Sequence, residues 1–186
     1  MTPDARERDA TIIVRPSRED DVRAMTRIYA HHVLHGTGTF ELEAPDEAEM
    51  TRRRGEVLDK GMPWLVAEQG AEVVGFAYAS PFRARRAYRY CVEDSIYLDE
   101  RARGRGIGRA LLAELVGRCQ ALGARQMVAV IGDSDNAASI GLHRSLGFEP
   151  SGLLSAAGWK LERWLDVVLM QRALGMGAAT APQGRP

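Results

Sequence analysis

Leu98-Asp99-Glu100-Arg101-Ala102-Arg103-Gly104-Arg105-Gly106-Ile107-Gly108-Arg109 carries most of the structural information in this chain. A strand-like run, Asp94 to Leu98, leads into it. An amphipathic helix leaves it, with Ile107, Leu111, Leu112, Leu115, Val116, Cys119 and Leu122 at helical spacing. The glycines let main-chain N–H groups approach a ligand without interference from a Cβ. The helix start adds unsatisfied donors and a partial positive charge. Such a strand–turn–helix is an anion cradle and suits a pyrophosphate. Arg103, Arg105 and Arg109 add positive charge; a purely structural reading makes them a solvated helix face.

Two common phosphate cradles are excluded. The dinucleotide fingerprint G-x-G-x-x-G needs glycine where Arg109 stands, and the P-loop needs a Gly-Lys-Ser/Thr that is absent. What remains is Arg101-x-x-Gly104-x-Gly106. The rest of the composition narrows the class. At 186 residues with 45% hydrophobic content, a single globular domain with a real core is expected. No apolar run is long enough to span a bilayer, so no membrane role is expected. A formal net charge of zero argues against broad nucleic-acid binding. Cys91 and Cys119 fall inside predicted elements and give no disulfide framework, which points to a cytoplasmic address.

The pattern along the chain predicts the order β-α-α-β-β-β-α-β-α-β-β. Thr11 to Arg15 reads as a strand. Ser17 with Asp20 resembles a capping box before a helix marked by Val22, Met25, Ile28, Tyr29 and Val33. Asp46 with Glu49 opens a second helix, to about Asp59. Trp64 to Glu68 and Glu72 to Ser80 are strands joined at Gln69-Gly70, and Ala87 to Leu98 is a long strand. Gln126 to Ile131 is a short buried strand, and Asn136 to Leu146 a helix stopped by Gly147. Phe148 to Ala156 and Trp164 to Met170 form a hairpin-like pair. Residues 1–10 are expected as a flexible N-terminal arm, 11–174 as one domain, and 175–186 as a disordered tail. An α/β (α+β) architecture follows, a mixed central sheet with helices on both faces.

Arg101-x-x-Gly104-x-Gly106 resembles the acetyl-CoA signature R/Q-x-x-G-x-G/A of the GNAT-type N-acetyltransferases. Further segments extend the likeness from about Ile12 to Leu174. They include Thr37 to Glu41, Pro63 to Glu68, Gly75 to Arg83, Val92 to Ser95 and Ala129 to Ser134. Asn136 to His143, Gly158 to Lys160 and Arg163 to Val168 complete the set. Together they are similar to the phosphinothricin and methionine sulfoximine (or sulfone) acetyltransferase subfamily. The resemblance implies a GNAT fold with about seven strands and about four helices. It implies acetyl transfer from acetyl-CoA to the α-amino group of a small amino-acid analogue, directly in a ternary complex, by a homodimer. Tyr90-Cys91 stands where Trp-Thr is common in the family, and Leu161-Glu162 where Phe-Gly is common. Both departures touch the expected substrate pocket.

Aminolysis of a thioester needs a neutral amine, and an α-amine has a pKa of roughly 8, so a base helps. The resemblance puts a carboxylate at Glu93, in the strand that leads to the cradle. Alternation sends Glu93 and Ser95 to one strand face and Asp94 to the other, so Asp94 ranks lower as a base. The resemblance still implies that this trio contacts substrate. It also implies that Ile96, Tyr97 and Leu98 pair with the pantetheine arm, and that a main-chain N–H near Leu98 meets the thioester carbonyl. Gly104, Gly106, Ile107 and Gly108 would hold the diphosphate. Asn136 and Ser139 would contact the cofactor, although Asn136 is also a natural helix cap.

His143, on the same helix, is a candidate proton donor to the leaving thiolate or an assisting base; a lone helical histidine is more often structural. Arg83, Arg85, Arg86 and Arg89 cluster before Glu93, and guanidinium groups suit a substrate bearing oxyanions; the resemblance favours Arg83, with Phe82 as an apolar wall, and then Arg85. The segment Thr37 to Glu41, with Phe40, is expected over the substrate. His31, His32 and His35 have no Cys or carboxylate at ligand spacing, so no metal is expected. Other acceptors on the same cofactor stay open: a peptide N-terminus, a polyamine or an aminoglycoside. So does a non-catalytic acyl-CoA-binding sensor.

Overall fold

A computed structural model describes residues 11–182. Seven strands form one sheet in the order β1-β2-β3-β4-β5-β7-β6. They are β1 (Ile12–Pro16), β2 (Trp64–Gln69), β3 (Glu72–Pro81), β4 (Cys91–Leu98), β5 (Gln126–Gly132), β6 (Glu149–Lys160) and β7 (Arg163–Ala173). All neighbours run antiparallel except β4 and β5, which are parallel. Four α-helices are present among the described residues: α1 (Val22–His35), α2 (Glu47–Asp59), α3 (Ile107–Ala121) and α4 (Ala137–Ser145).

Each sheet face buries its own core. Val22, Met25, Ile28, Tyr29 and Val33, the predicted apolar stripe of α1, pack with α2 on Trp64, Val66 and Phe76. On the other face Ile107, Leu111, Leu112, Leu115, Val116 and Cys119 of α3 pack on Leu65, Ala67, Ala77, Ala79 and Val92. The small residues of β2 and β3 let α3 come close; a Cβ on Gly75 would stand 3.2 Å from Leu111 Cδ1 of α3 and 2.5 Å from Leu98 Cδ2 of β4. α2 starts as expected, with Asp46 Oδ1 accepting the Glu49 N–H at 2.8 Å.

Three expectations need correction. β4 begins at Cys91 rather than Ala87, because Arg86–Tyr88 forms a short 3-10 turn. Its apolar and aromatic residues concealed the break in strand periodicity. The box ahead of α1 is not Ser17 with Asp20. The buried Asp21 accepts the Arg18 N–H at 2.6 Å and binds Arg15, while Ser17 Oγ accepts from Arg54 at 2.7 Å. In the segment expected as a disordered tail from 175, residues 175–178 form turns and 179–180 bends. Arg125 donates to the carbonyls of Gly177 and Thr180 at 2.9 and 2.8 Å. The expected N-terminal arm, 1–10, and residues 183–186 lie outside the described residues.

The turn Lys160-Leu161-Glu162-Arg163 joins β6 to β7 with two non-glycine residues in the left-handed region, φ 51° and 58°. This is the two-residue hairpin geometry that favours Asn-Gly.

Candidate active site

β4 and β5 pair only from Cys91↔Gln126 to Asp94↔Ala129. Beyond that point β4 stays with β3 as far as Leu98, and β5 stays with β7 as far as Gly132. The two parallel strands therefore part, and a V-shaped opening cuts into the sheet. The Asp99 N–H donates to Val74 O at 2.9 Å, and the Phe82 N–H to Cys91 O at 3.1 Å. The alternation of an antiparallel ladder then turns the peptide groups of Ser95 and Tyr97 toward β3 and those of Ile96 and Leu98 toward the opening. Consistent with this, His32 Nε2 donates to Leu98 O at 2.9 Å. Burial pushes the His32 pKa down, so the ring is the neutral Nε2–H tautomer near neutral pH.

The turn after β4 is held by Asp99. Its carboxylate accepts the Arg101 N–H at 3.0 Å and takes both Arg101 and Arg27 side chains. Those arginines, Arg101 first, hold its pKa well below the usual carboxylate range. Gly104 and Gly106 then adopt φ 73° and 77°, a left-handed backbone that a side chain disfavours. The space above them is open, with no atom within 4 Å of either built Cβ. Gly106 precedes α3, whose first turn has no acidic residue, so its N–H groups and dipole face that space without internal competition. Gly108 has a different reason: a Cβ would meet Leu142 and Leu98 at 3.2 and 3.3 Å.

A cavity of about 730 Å³ joins the opening to this turn. Of the residues singled out from sequence, it collects Asp94, Ser95, Ile96, Tyr97, Leu98, Arg103, Gly104, Gly106, Gly108, Arg109, Asn136, Ser139 and His143. Ile107 does not reach it with its side chain, which is in the core. Arg105, Phe40, Phe82, Arg83, Arg85 and Glu93 also fall outside the lining. Arg109 sits at the rim and donates to Ser145 O and Oγ at 2.9 and 2.8 Å. Asn136 does cap α4, its Oδ1 accepting the Ser139 N–H at 3.2 Å.

The two faces of β4 differ. Asp94 faces α4, where its Oδ2 lies 3.0 Å from His143 Nε2, while His143 Nδ1 lies 2.8 Å from Ser139 O. Both side chains are almost fully buried, at 1% and 2% exposure. A carbonyl only accepts, so Nδ1 carries a proton, and a second proton lies between Nε2 and Asp94. Burial opposes the charged ring, but Asp94 outweighs it and the His143 pKa is raised. His143 is thus half of a buried pair with both ring nitrogens engaged, and Asp94 is a partner that the sequence reading did not foresee. Asp94 Oδ1 has no partner although it is buried.

Glu93, Ser95 and Tyr97 take the opposite face, as alternation predicts. Glu93 is half-buried; burial first, then Asp94, raises its pKa, against Arg83. Tyr78, whose pKa burial raises, pairs in register with Ser95. Arg83 lies 5.0 Å over the Phe82 ring, and Arg85 precedes the 3-10 turn. Phe40 packs directly on glycine: a Cβ on Gly158 would be 2.2 Å from its ring, and one on Gly132 would be 2.1 Å from Thr37 O.

Several lining residues escaped the sequence reading. His31, His32 and His35, weighed only as metal ligands, form one wall with Gly36 to Gly38. Asp133 and Arg163, a pair joining the ends of β5 and β7, form part of another. The positive φ of Asp133, 73°, has no sequence signal beyond the turn-prone Asp-Ser-Asp-Asn run.

The acetyltransferase (GNAT) family matches residues 25–148 of the chain. The chain is 47% identical over 188 residues to a phosphinothricin N-acetyltransferase of Alcaligenes faecalis, covering 98% of this chain and 95% of that one. It is 48% identical over 159 residues to an L-methionine sulfoximine/L-methionine sulfone acetyltransferase of Pseudomonas aeruginosa, covering 85% and 92%. A crystal structure of a phosphinothricin acetyltransferase from Sinorhizobium meliloti, in complex with acetyl-CoA, superimposes with a TM-score of 0.90 at 53% identity, covering 93% and 94%.

Proposed function

The chain belongs to the GNAT acetyltransferase family, and from that membership we propose that it is an acetyl-CoA-dependent N-acetyltransferase acting on the α-amino group of small amino-acid analogues of the phosphinothricin, methionine sulfoximine or methionine sulfone type. The observation that carries this reading is the parting of β4 from β5 directly above the left-handed Gly104–Gly106 turn. The cavity suits acetyl-CoA: unobstructed N–H donors for a diphosphate at one end, the Ile96 peptide group and the Leu98 N–H for an extended amide-bearing arm at the other. In this reading Gly104, Gly106, Gly108 and the α3 N-terminus take the diphosphate, with Arg103, Arg105 and Arg109 near it and Asn136 and Ser139 along the arm.

When bound, acetyl-CoA supplies an acyl thioester open to attack by a neutral amine. Glu93 accepts the surplus ammonium proton, directly or through one water; its raised pKa brings it nearer the working pH of a base. The Leu98 N–H donates to an oxygen that gains negative charge. The Asp94–His143 pair holds a proton at the cavity wall and supplies it toward a departing thiolate. Arg83 and Arg85 take the carboxylate or tetrahedral oxyanion of the acceptor, with Phe40 and Phe82 as apolar walls and Ser95 on the Glu93 face.

A homodimer is part of this reading. Leu153, Leu154, Trp159, Leu161 and Trp164 of the β6–β7 hairpin are about half exposed or more, an apolar group that supports contact with a second copy. Action in the cytoplasm fits an acetyl-CoA-dependent reaction. No helix among the described residues is long and apolar enough to cross a membrane.

The test is free CoA release with methionine sulfone, methionine sulfoximine, phosphinothricin, ordinary amino acids, peptides, polyamines and aminoglycosides. The analogues are expected as the best acceptors, and Glu93→Gln is expected to lower kcat by about 10²–10⁴-fold with acetyl-CoA affinity retained. Preference for a peptide or polyamine, or an undiminished Glu93→Gln rate, would refute it.

A further inference from the structure

Lys160, near the end of β6, is 4% exposed, an unusual burial for an ammonium group. Its Nζ donates to Thr39 O at 2.7 Å and reaches His32 O at 3.4 Å. Its hydrogen bonds go to carbonyl oxygens, one of them in the last turn of α1, where the helix dipole favours a cation; the Glu41 carboxylate favours its charge from a distance, without a direct ion pair. Burial lowers its pKa. Burying a charge with no carboxylate in direct contact is costly, so the contact needs a reason.

That reason lies in what Thr39 holds. Thr39 Oγ1 is 3.0 Å from Tyr29 OH and accepts the Glu41 N–H at 3.3 Å, and Tyr29 OH donates to Glu41 at 3.0 Å. Phe40, between Thr39 and Glu41, is wedged against Gly158, two residues before Lys160 on the same strand. Gly36, Thr37 and Gly38, the start of this loop, line the cavity beside Ser95 and Ile96. We infer that Lys160 is a positioning residue for the acceptor: its ammonium clamps the loop 36–41 and the end of α1 onto the β6–β7 hairpin, and so sets the place of Phe40 beside the β4–β5 opening. The clamp spans 121 residues of sequence. It makes the hairpin a determinant of acceptor binding while leaving the glycine turn untouched. This rests on the acetyltransferase reading above, since it takes the loop to border the acceptor.

The test is Lys160→Met, read by acceptor KM, acetyl-CoA Kd and amide hydrogen exchange. Acceptor KM is expected to rise about tenfold, the scale of one charge-assisted hydrogen bond. Acetyl-CoA Kd is expected to stay within about twofold, and exchange to quicken at 36–41 but not in α3. Lys160→Gln keeps an N–H donor and serves if the Met variant does not fold, with a smaller rise in KM. Unchanged acceptor KM together with unchanged exchange at 36–41 overturns the inference, as does a loss confined to acetyl-CoA binding. If the wild type acetylates none of the amino-acid analogues, the functional reading fails instead, and exchange at 36–41 alone decides whether the clamp exists.

Discussion

Asp94→Asn isolates the charge in the Asp94–His143 pair. In the wild type the doubly protonated ring serves both Ser139 O, at 2.8 Å, and Asp94 Oδ2, at 3.0 Å. In the variant a neutral ring keeps Nδ1–H on Ser139 O and accepts from the new amide at Nε2, so the number of hydrogen bonds is preserved. What is lost is charge assistance, the difference between a charged bond of about 1.5–3 kcal/mol and a neutral one of about 0.5–1.5 kcal/mol. A loss of about 1–2 kcal/mol follows, or about 2–8 °C in Tm for a chain of this size. The sign with pH is fixed. The folded His143 pKa lies above the ordinary value of about 6.5. The stabilisation is therefore fully present below about pH 6.5 and fades as pH rises through the folded value. Thermal and urea unfolding of both proteins from about pH 5.5 to 9 reads this directly. The gap should be widest at the acid end and narrow toward the alkaline end. A gap that does not change with pH would refute the charged pair.

Leu161→Asn with Glu162→Gly should raise stability by about 1–3 kcal/mol in urea unfolding, since each left-handed non-glycine residue costs roughly 1–2 kcal/mol. Gly132→Ala and Gly158→Ala should differ in kind. The first drives a Cβ to 2.1 Å from the Thr37 carbonyl, and the backbone shift it forces should cost about 1–3 kcal/mol in the same assay. The second meets the ring of Phe40, 37% exposed and able to swing away, so calorimetry should find little stability loss while acceptor KM rises. Gly106→Ala, at φ 77°, should cost about 1–2 kcal/mol and weaken acetyl-CoA in titration calorimetry more than it raises acceptor KM.

What the sequence made legible was local. The stripe of α3 as far as Cys119, the Asp46 and Asn136 caps and the glycine turn each depend on residues a few positions apart, and each is present; Leu122, also expected in the stripe, lies past the helix end and is exposed. The strand count and the mixed sheet followed from the same short-range patterns. The Asp94–His143 pair joins residues 49 apart, and the Lys160 clamp residues 121 apart. No period or spacing encodes such contacts; they arise when β5 and β7 bring α4 and the hairpin to the open edge of β4. Alternation correctly separated Glu93 from Asp94 but said nothing about what each face would meet. The late start of β4 has a similar cause, because alanine and tyrosine suit a strand and a 3-10 turn almost equally.

A crystal structure with acetyl-CoA tests the central claim most directly: main-chain donors after β4 bind the diphosphate, and the gap between β4 and β5 receives the acyl arm. The diphosphate oxygens should lie about 3 Å from N–H groups of the Gly104–Gly108 turn, with the acyl end inside the opening beside Leu98 and near Glu93. A diphosphate bound elsewhere, or an acyl end directed away from Glu93, would contradict it.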